Sequence, residues 1–204
     1  MAIPVVANVI KSGARLYVAP VAEANPDETT VAYGAAWGGN WVRVGFTKAL
    51  LAMAYGSEEF DIEVEEELGS IKRRRVREKL TLETVLGELT AAYLQLSASN
   101  QDTVTETPAA AAQKAYEETG LGGEPILTEK KWGFEGLFIT AGGDEEPIRL
   151  FVHKGTAMMN GNLEFSQKNT DYTGIPIQIK ALADTTQNAG QKFCKFQRVT
   201  SETT

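Results

Sequence analysis

Residues 60–96 read FDIEVEEELGSIKRRRVREKLTLETVLGELTAAYLQL, and the change of rhythm along this stretch decides the fold. At its start Phe60, Ile62 and Val64 alternate with Asp61, Glu63 and Glu65, the period of a β-strand, whose successive side chains leave opposite faces. After Gly69-Ser70 the chain turns basic. Lys72 to Arg75 are then expected beside Glu65 to Glu67 in a hairpin over about 58–82, because opposite charges across a ladder favour that register over slipped ones. The second arm alternates too, with Val76, Leu80 and Leu82 on one face and Arg75, Arg77, Lys79 and Thr81 on the other. Leu82, Val85, Leu86, Leu89 and Tyr93 next recur at three and four residues, which predicts an amphipathic helix over about 84–96 with Thr84 as its N-cap. A charged strand pair with so little apolar surface has no reason to be long unless something covers or extends it.

Working outward, the runs 4–10 and 15–21 read as short strands, and 23–29, with Asn25, Pro26 and Asp27, as a turn. Trp41, Val42, Val44 and Phe46 suggest a strand after the Gly38-Gly39 break, and 50–55 an extended run into the hairpin. Beyond the helix, 97–128 is rich in Ser, Thr, Ala and Gly, the composition of an insertion. Within it Pro108 and Gly120 bracket a predicted short helix of about 108–119. From Thr128 the period returns to two. Trp132, Phe134 and Phe138 share a face, Gly142-Gly143-Asp144 turns the chain, and Ile148, Leu150 and Val152 share another. Met159, Leu163 and Phe165 follow, with Asn160-Gly161 as a hairpin tip or a bulge; Ile175, Ile177, Ile179 and Ala181 then face one way, with Pro176 favouring an edge or bulge. About eight strands and one substantial helix predict a mainly β (α+β) fold: a β-sandwich or barrel with one packed α-helix and a long extended β-hairpin, in a single domain over 1–204.

A chain of 204 residues, 43% hydrophobic and 23% charged, is large enough to bury its own core. Its net charge of −7 argues against a protein that grips nucleic acid, which needs a basic face to neutralise phosphates. No run approaches the roughly 20 apolar residues of a membrane span. The opening MAIPVVANVIKSG lacks the basic start and long apolar core of a secretory signal, so synthesis in the cytoplasm is expected. Cys194, the single cysteine, has no partner for an internal disulfide and reads as a small hydrophobe.

Catalytic chemistry finds little support. His153 is the single histidine, so any Ser-His-Asp arrangement must use it, and in IRLFVHKG it reads as structural. GLGG at 120–123 lacks the lysine and hydroxyl residue of a phosphate loop, and the acids at 65–67 and 144–146 lack the oxygen spacing of a calcium loop. No catalytic, cofactor or metal residue is expected. The KRRR run at 72–75 is short for a nucleic-acid patch, and pairing with acids of its own hairpin or of a neighbouring subunit fits it better. A soluble β-sandwich that binds carbohydrate through Trp37, Trp41 or Trp132 is the alternative from another class.

Three segments in order resemble the major tail protein, or tail tube protein, of long-tailed bacteriophages with non-contractile tails. They are WVRVGFTK at 41–48, the acidic strand, turn, basic strand and LETVLGELTAAYLQL block through Leu96, and YTGIPIQIKALAD at 172–184. The region 97–128 departs from compact members. The resemblance implies hexameric rings stacked into a tube that conducts DNA during ejection. It also implies an inner wall built from the paired long strands, and a tape-measure protein, tail tip and tail terminator as partners. The inner tube of a contractile injection machine or tailocin shares that fold. On this basis Asp61, Glu63 and Glu83 are expected to line the lumen, and Glu65, Glu66, Glu67, Arg73, Arg74 and Arg75 to make contacts between rings or subunits.

Overall fold

A computed structural model describes residues 14–27, 31–63, 70–99, 103–123, 125–139, 145–163 and 174–198. The elements in order are β1 (Arg15–Ala19), β2 (Val42–Arg43), β3 (Ala52–Glu63), β4 (Ser70–Leu86), α1 (Ala91–Ser97), β5 (Thr105–Thr107), β6 (Tyr116–Glu118), β7 (Lys130–Ile139), β8 (Glu145–Met159), β9 (Ile175–Ala181) and β10 (Cys194–Arg198). Apart from β5 and β6, the strands form one antiparallel sheet in the order β2-β1-β7-β8-β9-β4-β3, with β10 alongside β8. The fold is mainly β with β-sandwich-like packing, as the periodicities predict.

The sheet curls until its ends are tied by the segment 44–48. Val44 N–H donates to the Leu16 carbonyl in β1 at 2.8 Å, while Thr47 bridges Leu86 in β4 and Lys48 N–H donates to the Val85 carbonyl at 2.7 Å. Strands from opposite ends of the path therefore share one core of Leu16, Val44, Leu82, Leu86, Trp132, Val152 and Ile175, Ile177 and Ile179. Burying side chains of this size contributes roughly 1.5–3 kcal/mol each, which offsets the entropy of ordering so many non-local pairings. Helix α1 packs Tyr93, Leu94 and Leu96 against the same core.

The helix starts later than the predicted position 84. Residues 81–86 pair with β9, from Thr81 opposite Lys180 to Leu86 opposite Ile175, so Thr84 is a strand residue. The apolar side chains of TLETVL satisfy both periods, and the β-branched Thr81, Thr84 and Val85 suit the strand. Thr90 is the actual N-cap, its hydroxyl accepting from Tyr93 N–H at 3.2 Å. The predicted helix at 108–119 is also absent. Residues 105–107 and 116–118 pair as a small hairpin, whose turn is narrowed by an Ala110–Gln113 bridge. A helix of that length without a buried face is marginal. Strand β9 is interior, between β8 and β4, and not at an edge. Pro176 is tolerated because its carbonyl accepts from Asn160 N–H at 3.2 Å, just past the last β8 pair, Met159 with Ile177; the missing donor falls where that ladder ends. Trp41, Val42, Val44 and Phe46 do not form one long strand, since Gly45 at φ +33 breaks it and leaves Val42 and Phe46 exposed.

A second layer covers the other face of β1, β7 and β8. Trp37 stacks on Tyr17 at 3.9 Å between ring centroids and meets Trp41 edge-on at 5.0 Å, with Phe151 beneath. Gly133 sits under this cluster, where a Cβ would come within 2.2 Å of the Trp37 ring. Glu135 and Arg149, fully buried, pair across β7 and β8 at 3.0 Å. Glu135 also accepts from Tyr17 Oη, Gly34 N–H and Trp37 Nε1, and Arg149 donates to the Val31 carbonyl, so the pair pins the loop 31–41 to the sheet.

His153 is buried in the same layer. Burial holds its pKa below the ordinary 6.5, with Lys131 and Lys195 adding repulsion against the opposing pull of Asp184. Below pH 6.5 the unfolded chain therefore binds the proton first, so the stability that neutral His153 contributes is complete above that pH and is lost as pH falls toward the lower folded value. Denaturation midpoints measured from pH 7 to pH 5 should fall, and His153→Gln should flatten that slope; an unchanged slope in the variant would assign the pH response to other groups.

Candidate functional site

Beyond the core, β3 and the outer half of β4 leave the barrel as a two-stranded ribbon. Its pairing runs from Ala52 opposite Glu83 to Glu63 opposite Ser70. Beyond residue 80 no other strand pairs with it among the described residues, so both of its edges are open. Such edges invite pairing with another chain. Met53, Tyr55, Phe60, Ile71 and Val76 are all more than half exposed on it.

The basic arm does not lie beside 65–67. Arg77 faces Glu58, Arg75 faces Glu59, Arg74 faces Phe60, Arg73 faces Asp61 and Lys72 faces Ile62, because β4 has already begun at Ser70. Glu65, Glu66 and Glu67 lie outside the described residues. The zipper of opposite charge is real but uses earlier acids. Arg73 Nε donates to Asp61 Oδ1 at 2.6 Å and Nη2 to Oδ2 at 3.2 Å, and Glu59 Oε2 stands 3.5 Å from Nε. The Arg73 guanidinium holds the Asp61 carboxyl below the usual carboxylate range. Arg75 Nη1 meets Glu78 at 2.5 Å and the Tyr55 hydroxyl at 3.2 Å.

A β-bulge separates the pairs Glu58–Arg77 and Glu59–Arg75, and the extra residue is Val76. Paired residues share a face, so the bulge puts Arg75 with Arg73, opposite to Arg77 and Lys79. The expected alternation, with Arg75, Arg77 and Lys79 together, holds only on the barrel side of it. Near the barrel, the first face carries Tyr55, Leu80 and Leu82; outward it carries Glu59, Asp61, Arg73, Arg75 and Glu78. The second face carries Glu83 and Thr81, then Lys79, Arg77, Arg74 and Lys72 with Glu58.

The three acids expected in the lumen are thus split. Asp61 and Glu83 leave opposite faces of the ribbon. Glu83 accepts from Asn160 Nδ2 at 3.1 Å and from Gln178 Nε2. Glu63 pairs with Ser70 through the backbone, and its side chain lies outside the described residues. Arg73, Arg74 and Arg75 come together on the ribbon, with Arg74 on the side away from the other two. Sequence reasoning missed the bulge and the acids at 58 and 59.

The three tryptophans that a carbohydrate site would need are buried, at 5%, 9% and 0% exposure for Trp37, Trp41 and Trp132. Among the described residues no helix is long and apolar enough to cross a membrane. What remains is an open-edged ribbon fixed to a β-sandwich-like body, an arrangement suited to joining copies of a structural subunit. The phage tail tube protein family matches residues 1–194 of the 204, and the chain belongs to that family. The protein is a structural component of the phage tail, in a family that is not enzymatic. No curated protein matches the sequence.

Proposed function

We propose that this chain closes into rings, sixfold as the resemblance implies, and that the rings stack into a tail tube through which DNA leaves the virion. The observation that carries this reading is the ribbon, whose two open edges and paired charges extend past a barrel that already satisfies its own core. Ring closure is one way to remove sheet edges. The face that carries Glu59 and Asp61 is the better lumen wall. It carries Glu59, Asp61 and Glu78 against Arg73 and Arg75, and this acidic excess repels phosphate, so DNA passes without sticking. Glu83, on the opposite face and held by Asn160 and Gln178, belongs to a different surface. The tube forms in the host cytoplasm, around a tape-measure protein and between a tail tip and a terminator, and a non-contractile tail is the form that fits the sequence resemblance.

Electron microscopy of concentrated purified protein should show annuli or rods. A strictly monomeric species in light scattering at every concentration, even with a tail-tip initiator added, overturns the reading.

A further inference from the structure

The second face of the ribbon is unbalanced. Lys72, Arg74, Arg77 and Lys79 stand on it against Glu58, which lies 3.9 Å from Arg77 and 3.6 Å from Lys79, and against Glu83 at the barrel end, which is held by Asn160 and Gln178. Lys72 and Arg74 are exposed and form no ion pair among the described residues. The β5–β6 hairpin has the converse imbalance. Glu106 and Glu117 are directly opposed across its ladder, an arrangement that destabilises a strand pair already too small to be stable alone. One Glu117 oxygen accepts from Ala91 N–H at 3.3 Å, and no cation approaches either carboxylate among the described residues. Beside them lies a hollow of about 610 Å³ lined by Glu106, Thr107, Pro108, Ala115, Tyr116 and Glu117, with room for a long side chain.

We propose that the basic face of the ribbon docks onto the β5–β6 hairpin of a second copy of this chain, with Arg74 received between the Glu106 and Glu117 carboxylates. The proposal rests on the tube reading. In a polymer of identical chains each copy presents both surfaces, so one head-to-tail contact relieves both imbalances at every step. A planar guanidinium between two carboxylates forms charge-assisted hydrogen bonds to each. Lys72, two residues along the same face, adds attraction without needing fixed geometry. The contact also gives the 97–128 insertion a purpose, since β5 and β6 lie within it.

The test is a charge swap. Glu106→Arg turns the opposed pair of carboxylates into an Arg–Glu pair, so the hairpin itself is retained. Arg74→Glu changes an exposed residue remote from the core. Each single variant should keep the wild-type circular dichroism and raise the protein concentration needed for tubes at least about tenfold, since like charges then meet across the contact. The double variant, Arg74→Glu with Glu106→Arg, should assemble near the wild-type concentration, and so should a mixture of the two singles. If wild type forms tubes and Glu106→Arg forms them equally well, or the double variant fails to recover, the docking is overturned. If wild type forms no tubes, the tube reading falls and the docking falls with it. If unassembled protein binds DNA tightly and salt-sensitively, and Arg74→Glu abolishes this while Glu106→Arg does not, the basic face is a nucleic-acid surface and the docking is wrong.

Discussion

Arg149→Met is expected to destabilise the folded chain by about 3–5 kcal/mol, because it leaves the Glu135 carboxylate buried without its cation. The Tyr17, Gly34 and Trp37 donors remain, but none carries a full charge. Glu135→Gln should also destabilise from the other side, since Arg149 then loses its counter-charge and keeps only neutral partners, the Val31 carbonyl, the amide oxygen at 135 and the Trp37 ring. Replacing both by leucine and methionine should cost much less than the sum, as buried pairs exchanged for apolar groups of similar volume often do. Urea denaturation followed by tryptophan fluorescence checks this, because Trp37 and Trp41 sit on the pinned loop. Single variants as stable as wild type would mean that the loop 31–41 holds itself in place by aromatic stacking.

Reversing Arg73, Arg74 and Arg75 to glutamate should abolish tube formation while the barrel stays folded. The Arg73–Asp61 and Arg75–Glu78 pairs are exposed, and surface pairs of this kind contribute little to the monomer. The core residues of β4 begin at Leu80 and are untouched. Between copies the three reversals repel wherever acids of a neighbour approach, at a cost of several kcal/mol for close like charges. Circular dichroism and thermal midpoint should stay near wild type, and tube length should fall to single rings or monomers. Normal polymerisation would show the basic arm to be merely solvated; an unfolded triple variant would make it part of the barrel's own stability.

Strands whose neighbours bury both faces, or one face cleanly, were legible. Trp132, Phe134 and Phe138 share a buried face as their spacing predicts, and so do Ile175, Ile177 and Ile179. The order of acidic strand, basic strand and helix was legible too, but not its boundaries. TLETVL carries apolar residues at both two- and three-to-four-residue spacing, and the choice between them was made by β9, some ninety positions later in the chain. The Glu135–Arg149 pair was invisible for a related reason. Glu135 interrupts WGFEGLF and Arg149 interrupts PIRLF, and each alone reads as an outward charge. The β7–β8 register sets them opposite each other, and the loop 31–41 then covers them. Asp61, Arg73, Arg74 and Arg75 do stand on the ribbon, while its two faces were confused because alternation was carried straight through Val76.

That single added residue acts like a reading frame for the ribbon. From Arg75 to Lys72, before a second register shift between Ile62 and Glu63, each side chain of β4 owes its side to a count of backbone units, and the ion pairs follow from the count without setting it. Substitution at 76 leaves the frame intact, whereas deletion would turn Arg73 and Arg75 to the side now held by Arg74. The charges of β4 would change sides while those of β3 kept theirs. A change of length there must be matched on the facing strand if the two faces are to keep their sides.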